Sequence, residues 1–530
     1  MQHATKCHTP ALMVLGTGSH VGKSILTAAL GRILSDEGNR VAPFKAQNMS
    51  LNSAATPDGG EIGRAQALQA EACRVTPRVE MNPVLLKPST DVGCQVVLLG
   101  KIWGQLSASD YHLHRVEELF PSVVESYDKL ARDYDVMVIE GAGSPAEINL
   151  REHDIVNMRM AQAAQAACVL VGDIDRGGVF ASVLGTLELL TPEERALVRG
   201  YLINKFRGDR TLLQPGIEMM APRLGIPCAG VVPYLRNLGL DEEDGVAAEE
   251  RKMAASQWKN LPSDVSPHRP LRIAVLAFPH LANFTDFDSF DAEPSVSLAY
   301  VERPAELSPA DLVVLPGSKQ TIDDLEWMEK MGFPGVLRKM HEDGRMILGV
   351  CGGFQMLGNE IHDPHGIENN GVSVSRHALG FLDVRAVLSK EKITRQVSGR
   401  VSSFVPELTN QVFAGYEIHV GETEYFGKDQ PFAEIRRTGI DSAFPDGAIS
   451  KDGRVIGSYV HGLFDEDQFR HSFIRSARER YGLASASQFS FVRREREARL
   501  DRLAESVRKS IDLDTIHQWI GLPVRKGGSR

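Results

Sequence analysis

Two clusters of residues in this sequence are spaced for chemistry. The first, Gly16-Thr17-Gly18-Ser19-His20-Val21-Gly22-Lys23-Ser24, lies between a short apolar run and a segment of helical pattern. Glycines let backbone N–H groups converge on phosphate oxygens, a helix start adds positive potential, Lys23 neutralises β- and γ-phosphates, and Ser24 offers a hydroxyl to Mg²⁺. The loop departs from the strict pattern, because the position five residues before Gly22 is Thr17 and Gly16 stands one step earlier. The second, Gly349-Val350-Cys351-Gly352-Gly353, follows another apolar run and precedes a helix beginning near Phe354. A nucleophile on a sharp strand-to-helix turn needs small neighbours, and the helix start favours thiolate. His461 ends the apolar run at 455–460 and is the candidate base for Cys351. Leu315-Pro316-Gly317-Ser318-Lys319 supplies a further loop, whose Gly317 N–H joins that of Gly352 as a candidate oxyanion hole.

The elements that must carry these groups follow from periodicity. Short apolar runs at 12–15, 136–139, 168–171 and 200–203 alternate with amphipathic stretches, which predicts βαβ units in a doubly wound parallel sheet over residues 1–240. In such a sheet, ligands meet the carboxyl ends of the strands. Glu140 stands at one such end, before Gly141-Ala142-Gly143-Ser144, and is the second Mg²⁺ candidate beside Ser24. Asp173, Asp175 and Arg176 stand at another, as metal or substrate contacts or as turn caps. Residues 241–270 turn acidic and then proline-rich, as a linker does. A second α/β pattern begins at 272–276, with further runs at 312–315, 346–350 and 455–460, and fills 271–470. Residues 471–530 are charge-rich and helical by pattern; Leu500, Leu503, Val507 and Ile511 recur at helical spacing, as in an amphipathic helix packed on a domain.

Composition narrows the partners. The 530 residues carry 59 Lys+Arg against 69 Asp+Glu, a net charge of −10, so the positive field expected of a nucleic-acid or anionic-membrane binder is missing. No run approaches the length of a membrane span, and the start of the chain lacks the pattern of a signal peptide. The six cysteines are scattered without a C-x-x-C pair, which fits a reducing cytoplasm and neither a disulfide framework nor a zinc ribbon. His112 and His114 have no further ligand types clustered near them and read as surface residues.

The phosphate loop and the Glu140-Gly141-Ala142-Gly143 segment resemble those of the dethiobiotin synthetase-like ATPases. That resemblance implies that Asn204 reads the edge of the nucleobase. The cysteine elbow with His461 resembles a class I glutamine amidotransferase domain, of flavodoxin-like α/β fold. It implies that Cys351 attacks the side-chain amide of L-glutamine, that His461 shuttles protons, and that ammonia leaves before water cleaves the thioester. One departure stands out: where common members carry a Glu two residues after the histidine, this chain has Leu463. The same departure, with Gly415-Tyr416-Glu417-Ile418-His419, resembles the cobalamin-type branch.

The whole chain resembles cobalamin-type glutamine amidotransferases joined to such an ATPase domain, most specifically over residues 44–52, 60–66 and 173–180. The resemblance implies ATP- and glutamine-dependent amidation, through acyl phosphates, of the b, d, e and g carboxylates of adenosylcobyrinic acid a,c-diamide. Ammonia must be kept from water, so the two sites are expected to face each other across a protected interface. A corrinoid polycarboxylate on an acidic protein needs local cations. Lys45, Arg64, Lys87 and Arg176 lie in or near these segments, with Gln47, Asn48 and Glu61 as further contacts, although each cation reads equally as solvated surface charge. Two rivals fit part of the pattern. Enzymes that amidate the a and c carboxylates share both domains, but residues 45–52 argue against them. A ParA/MinD-like ATPase switch usually carries a second lysine where this chain has Gly18, and it lacks a cysteine elbow.

Overall fold

The computed structural model describes residues 8–88, 93–107, 116–235, 239–240, 258, 266–369, 371–402, 408–427 and 429–524. His112, His114 and nearly all of the linker expected at 241–270 lie outside the described residues. Among the described residues, no helix is long and apolar enough to cross a membrane. The chain forms two compact units. The first comprises Met1–Ser50, Ile62–Leu240 and Arg496–Arg530; the second comprises Leu51–Glu61 and Asp241–Glu495.

The first unit is built on a six-stranded sheet in the order Cys228–Pro233, Val198–Phe206, Ala167–Asp173, Ala11–Gly16, Val136–Glu140, Val41–Phe44, with every pair parallel. Its three central strands are buried along their whole length, which is why they read as unbroken apolar runs. From Ala11–Gly16 the chain winds first to one side of the sheet and then to the other, so the switch point lies beside that strand. Gly16, Glu140 and Asp173 therefore meet at one carboxyl edge. Helix Lys23–Asp36 starts there, after Gly22 at φ 96°.

The tail closes on this same unit. Leu500, Leu503 and Val507 of helix Val492–Arg508 join the core cluster of Leu26, Leu30 and Ile33. Arg32, fully buried, donates to Glu497 and Asp501, so a charge inside the fold is compensated by two carboxylates from the tail. Helix Asp467–Arg480 instead belongs to the second unit, where Arg470 is buried and bonds Glu293 at 2.7 Å.

The second unit carries a sheet in the order Val296–Val301, Leu271–Leu276, Leu312–Leu315, Met346–Val350, Val455–Ser458, Ala448–Ile449, parallel except for the last pair. Its first five strands follow the flavodoxin-like order. The apolar run at 455–460 is two strands rather than one. Val455–Ser458 joins the parallel sheet, whereas Val460–His461 pairs antiparallel with Val412–Tyr425 in a second, mixed sheet, where Tyr416 faces His461 in register. The switch at Tyr459 brings His461 against the Gly415–His419 stretch.

Candidate active sites

In the first unit, Glu140 is the centre of the site. It is 1% exposed, and its carboxylate accepts from Ser24 Oγ at 2.7 Å, Lys45 Nζ at 3.0 Å and Gln69 Nε2. Burial would raise its pKa, but Lys45, Gln69 and Ser24 outweigh that and hold it below the usual carboxylate range. Lys23 Nζ donates to Gly18 O at 2.9 Å and Gly143 O at 3.0 Å, tying the phosphate loop to the loop after Glu140. Asn157 fastens that second loop by a two-way bond with Ala142, at 3.0 and 2.8 Å. At Gly16 an added Cβ would lie 2.9 Å from Lys23 Nζ, so a side chain there would push the lysine aside. Thr17 N–H donates to Val171 O at 2.9 Å, which pins the loop to the next strand.

Asn204 Nδ2 donates to Val21 O at 2.8 Å and packs so closely on Gly22 that a Cβ there would lie 2.3 Å away. The asparagine thus braces the phosphate loop itself. Asp173 pairs with Lys205 at 3.0 Å and stands 3.6 Å from Arg176, and Asp175 pairs with Arg207 at 3.1 Å. Ser24 Oγ and Glu140 are hard oxygen donors of the kind Mg²⁺ takes, and Mg²⁺ bound to a nucleotide needs only one or two of them. Among the described residues no group of three or more His, Cys, Asp or Glu is arranged around a metal position.

The residues expected to meet a polycarboxylate separate. Lys45 is buried against Glu140, on the side of the phosphate loop. Gln47 and Asn48 lie on strand Gln47–Met49, with Asn48 Nδ2 bonded to Gln66 at 2.9 Å, and Arg64 opens helix Arg64–Ala72. Lys87 is buried on strand Val84–Pro88 of the same small sheet. Glu61 belongs to the second unit, where it accepts from Ser53 Oγ at 2.7 Å and pairs with Lys392.

In the second unit, Cys351 sits between strand Met346–Val350 and helix Gly352–Leu357 at φ 52°, ψ −111°, a conformation L-residues avoid and nucleophile turns require. Gly353 has no alternative here, because a Cβ would fall 1.9 Å from Leu315 O. The expected oxyanion pair lies beside the cysteine: a Cβ on Gly317 would stand 3.2 Å from His461 Cε1, and one on Gly352 would stand 3.0 Å from the Ser318 N. Cys351 Sγ lies 3.6 Å from Ile418 O. Burial pushes the thiols of Cys73 and Cys168 up to about 12, which leaves them inert.

The group that completes the set was not expected from the sequence. His461 Nδ1 lies 2.6 Å from Asp286 Oδ2, and Gly462 N–H donates to Asp286 Oδ1 at 3.0 Å. Burial disfavours the charged ring, yet the Asp286 carboxylate and the Cys351 sulfur raise the His461 pKa to about 10. With Nδ1–H given to Asp286, Nε2 is the nitrogen left for Cys351. Leu463 is buried and has no part in this bond. Nearby, Glu417 bridges His419 at 3.2 Å and Arg437 at 2.6 Å; burial opposes its charge, but these two bonds hold its pKa down to about 2. His419 in turn stacks on Tyr459 at 3.9 Å between ring centroids.

Comparison with known proteins covers both units. Residues 12–246 match the CobQ/CobB/MinD/ParA nucleotide binding domain, and residues 272–469 match the CobB/CobQ-like glutamine amidotransferase domain. The chain is 45% identical over 514 residues to the cobyric acid synthase of Photorhabdus laumondii, a match covering 96% of this chain and 97% of that protein. It is 45% identical over 518 residues to that of Moorella thermoacetica, covering 97% of each. With that of Yersinia enterocolitica it shares 46% identity over 512 residues, covering 96% of this chain and 97% of the relative.

Proposed function

This chain belongs to the cobyric acid synthase family, and on that premise we propose that its second unit releases ammonia from glutamine for its first unit to fix on an ATP-activated carboxylate. The overall reaction is the amidation of the b, d, e and g carboxylates of adenosylcobyrinic acid a,c-diamide with glutamine and ATP, giving cobyric acid. The observation that carries the division of labour is that one chain holds both the Cys351–His461–Asp286 set and the Lys23–Ser24–Glu140 cluster.

In the glutaminase step, Cys351 Sγ attacks the side-chain amide carbon of glutamine. The N–H groups of Gly317 and Gly352 receive the oxyanion, and His461 gives its Nε2 proton to the departing ammonia. His461 then takes a proton from water, which attacks the thioester and releases glutamate and the thiolate. Asp286 holds the ring so that Nε2 faces the sulfur throughout. In the synthetase step, a substrate carboxylate oxygen attacks the γ-phosphorus of ATP and ADP leaves. Ammonia then displaces phosphate from the acyl phosphate and leaves the amide. Lys23 offsets the charge that builds on the phosphates, and Asn204 supports the loop that holds them. A Mg²⁺ ion would be held by Ser24 and Glu140 and would supply further neutralisation of phosphate charge. Lys45 keeps Glu140 ionised. The substrate carboxylates are met by Arg64 and Arg176, with Gln47 and Asn48 nearby; Asp173 and Asp175 orient those loops.

The direct test supplies ATP, glutamine and the corrin a,c-diamide and follows the product by mass spectrometry. Successive conversion of four carboxylates is expected. Inability to amidate any corrin acid would overturn the substrate assignment.

The Asp286 role predicts a pH signature. Asp286→Asn removes the carboxylate that favours the imidazolium, so the His461 pKa falls from about 10. The alkaline limb of glutamine kcat/KM, which tracks loss of that proton, should move to lower pH, with a rate loss of about 10²-fold at neutral pH. Because the folded pKa of His461 is raised above the ordinary histidine value of 6.5, the pair adds stability that is fully present below 6.5 and is lost as pH rises through about 10. An unmoved alkaline limb would exclude Asp286 as the partner of His461.

A further inference from the structure

The hairpin Leu51–Glu61 stands apart from the sequence around it. Its neighbours on both sides fold with the first unit, whereas it folds with the second. Strands Ser53–Ala55 and Glu61–Gly63 pair across the turn Thr56-Pro57-Asp58-Gly59-Gly60, closed by Thr56 N–H to Gly60 O at 2.8 Å and Gly59 N–H to Thr56 O at 2.9 Å. Gly59, at φ 83°, accepts at its carbonyl oxygen from the Arg395 guanidinium at 3.2 Å, where a Cβ would collide with that side chain. Gln396 Nε2 bonds Ala55 O at 3.1 Å, Lys392 pairs with Glu61, and Ala55 packs in an apolar cluster with Tyr416 and Ile418. These are fixed attachments, not a loop lying loosely on a surface.

What the hairpin holds is the turn beside the catalytic histidine. Asn52 Oδ1 accepts the Phe284 N–H at 3.2 Å, and Ser53 N–H donates to Asn283 Oδ1 at 3.0 Å. The second bond fixes which way the Asn283 amide faces. With Oδ1 on the hairpin, Nδ2 is turned to the His461 ring, 3.3 Å from Nε2 and 3.4 Å from Nδ1. Asn283 adopts a left-handed conformation, φ 52°, ψ 44°, which asparagine tolerates, and it opens the short turn Phe284–Phe287 that carries Asp286. Asn52 and Asn283 are each 3% exposed, so neither bond is readily replaced by water. Tyr416, in the hairpin's apolar cluster, also stacks on His461 with centroids 5.5 Å apart.

We propose that the Leu51–Glu61 hairpin is a positioning element of the glutaminase: through Asn52 and Ser53 it fixes the Asn283–Asp286 turn and so the orientation of the His461 ring. The proposal rests on the glutaminase reading of Cys351 and His461. Its consequence is a covalent route between the two chemistries, since the chain runs directly from the hairpin to Lys45 on one side and Gln69 on the other, both of which hold Glu140.

The test is a double-mutant cycle on the full-length protein with glutamine and then ammonium as donor. Asn52→Ala and Asn283→Leu should each lower the glutamine-dependent kcat about tenfold, leaving the glutamine KM and the ammonium-dependent rate unchanged. The double variant should be no slower than the worse single variant, because both act through one turn. Losses that multiply, an effect on KM alone, equal loss with ammonium, or a wild-type rate in Asn52→Ala would each overturn the proposal. Failure of the glutaminase reading itself looks different: the unsubstituted protein would then release no ammonia from glutamine.

Discussion

Cys351→Ser is expected to lower glutamine-dependent amidation about 10⁴-fold and to leave amidation with ammonium salts at the wild-type rate. The reason is chemical rather than structural. Serine is nearly isosteric and accepts the turn at φ 52° no worse than cysteine, so the elbow and the oxyanion loop keep their places. The hydroxyl, however, ionises far less readily than a thiol and is the weaker nucleophile. Ammonia from solution needs none of this, since in the proposed mechanism the carboxylate is activated in the other unit. Initial rates with each donor, measured on the same preparation, check the prediction. Equal loss with both donors would sink the assignment of ammonia release to Cys351.

Lys23→Ala should fail differently, with amidation falling about 10³-fold whichever nitrogen donor is supplied. Lys23 is 7% exposed and bridges the carbonyls of Gly18 and Gly143, so its ammonium is held between the two loops proposed to cradle the phosphates. Removing it leaves developing phosphate charge against backbone carbonyls alone. The Cys351 thiol is untouched, and its reaction with a glutamine-mimicking alkylating agent should proceed at the wild-type rate. Retention of ammonium-dependent amidation in Lys23→Ala would show that ATP is not activated at this loop. The two variants together give a crossed pattern that no general loss of folding reproduces.

Both residues stand out in the sequence because the patterns that hold them are local. A phosphate loop needs glycines, a lysine and a hydroxyl within one strand–turn–helix, and a nucleophile turn needs small residues next to a cysteine. The parallel sheets were legible for a related reason, since a strand buried on both faces must be apolar along its length. His461 was found at the end of such a run, although the run proved to be two strands in two sheets.

Asp286 shows where that legibility stops. It lies 175 positions from His461, on a short turn, and it is one of 69 acidic residues with nothing in its neighbours to distinguish it. The contiguous pattern pointed to position 463, where a leucine stands, and the fold supplied the carboxylate from another element. Lys45 behaves in the same way. By type and segment it read as a contact for an anionic substrate, but burial against Glu140 makes it a partner of the nucleotide-side carboxylate. Glu61, three positions before Arg64 in sequence, went to a different unit altogether.

The sequence by itself determined the two chemistries, the sheets that carry them and the amphipathic tail, because each depends on residue types at short, regular separations. Only the tertiary structure decided which carboxylate orients His461, which cation compensates Glu140, that the tail seals Arg32 with Glu497 and Asp501, and that residues 51–61 leave one unit to brace the other. Such partners are chosen by distance in the folded chain. A buried charge must find compensation wherever the fold brings one within reach, and no spacing in the sequence records that distance.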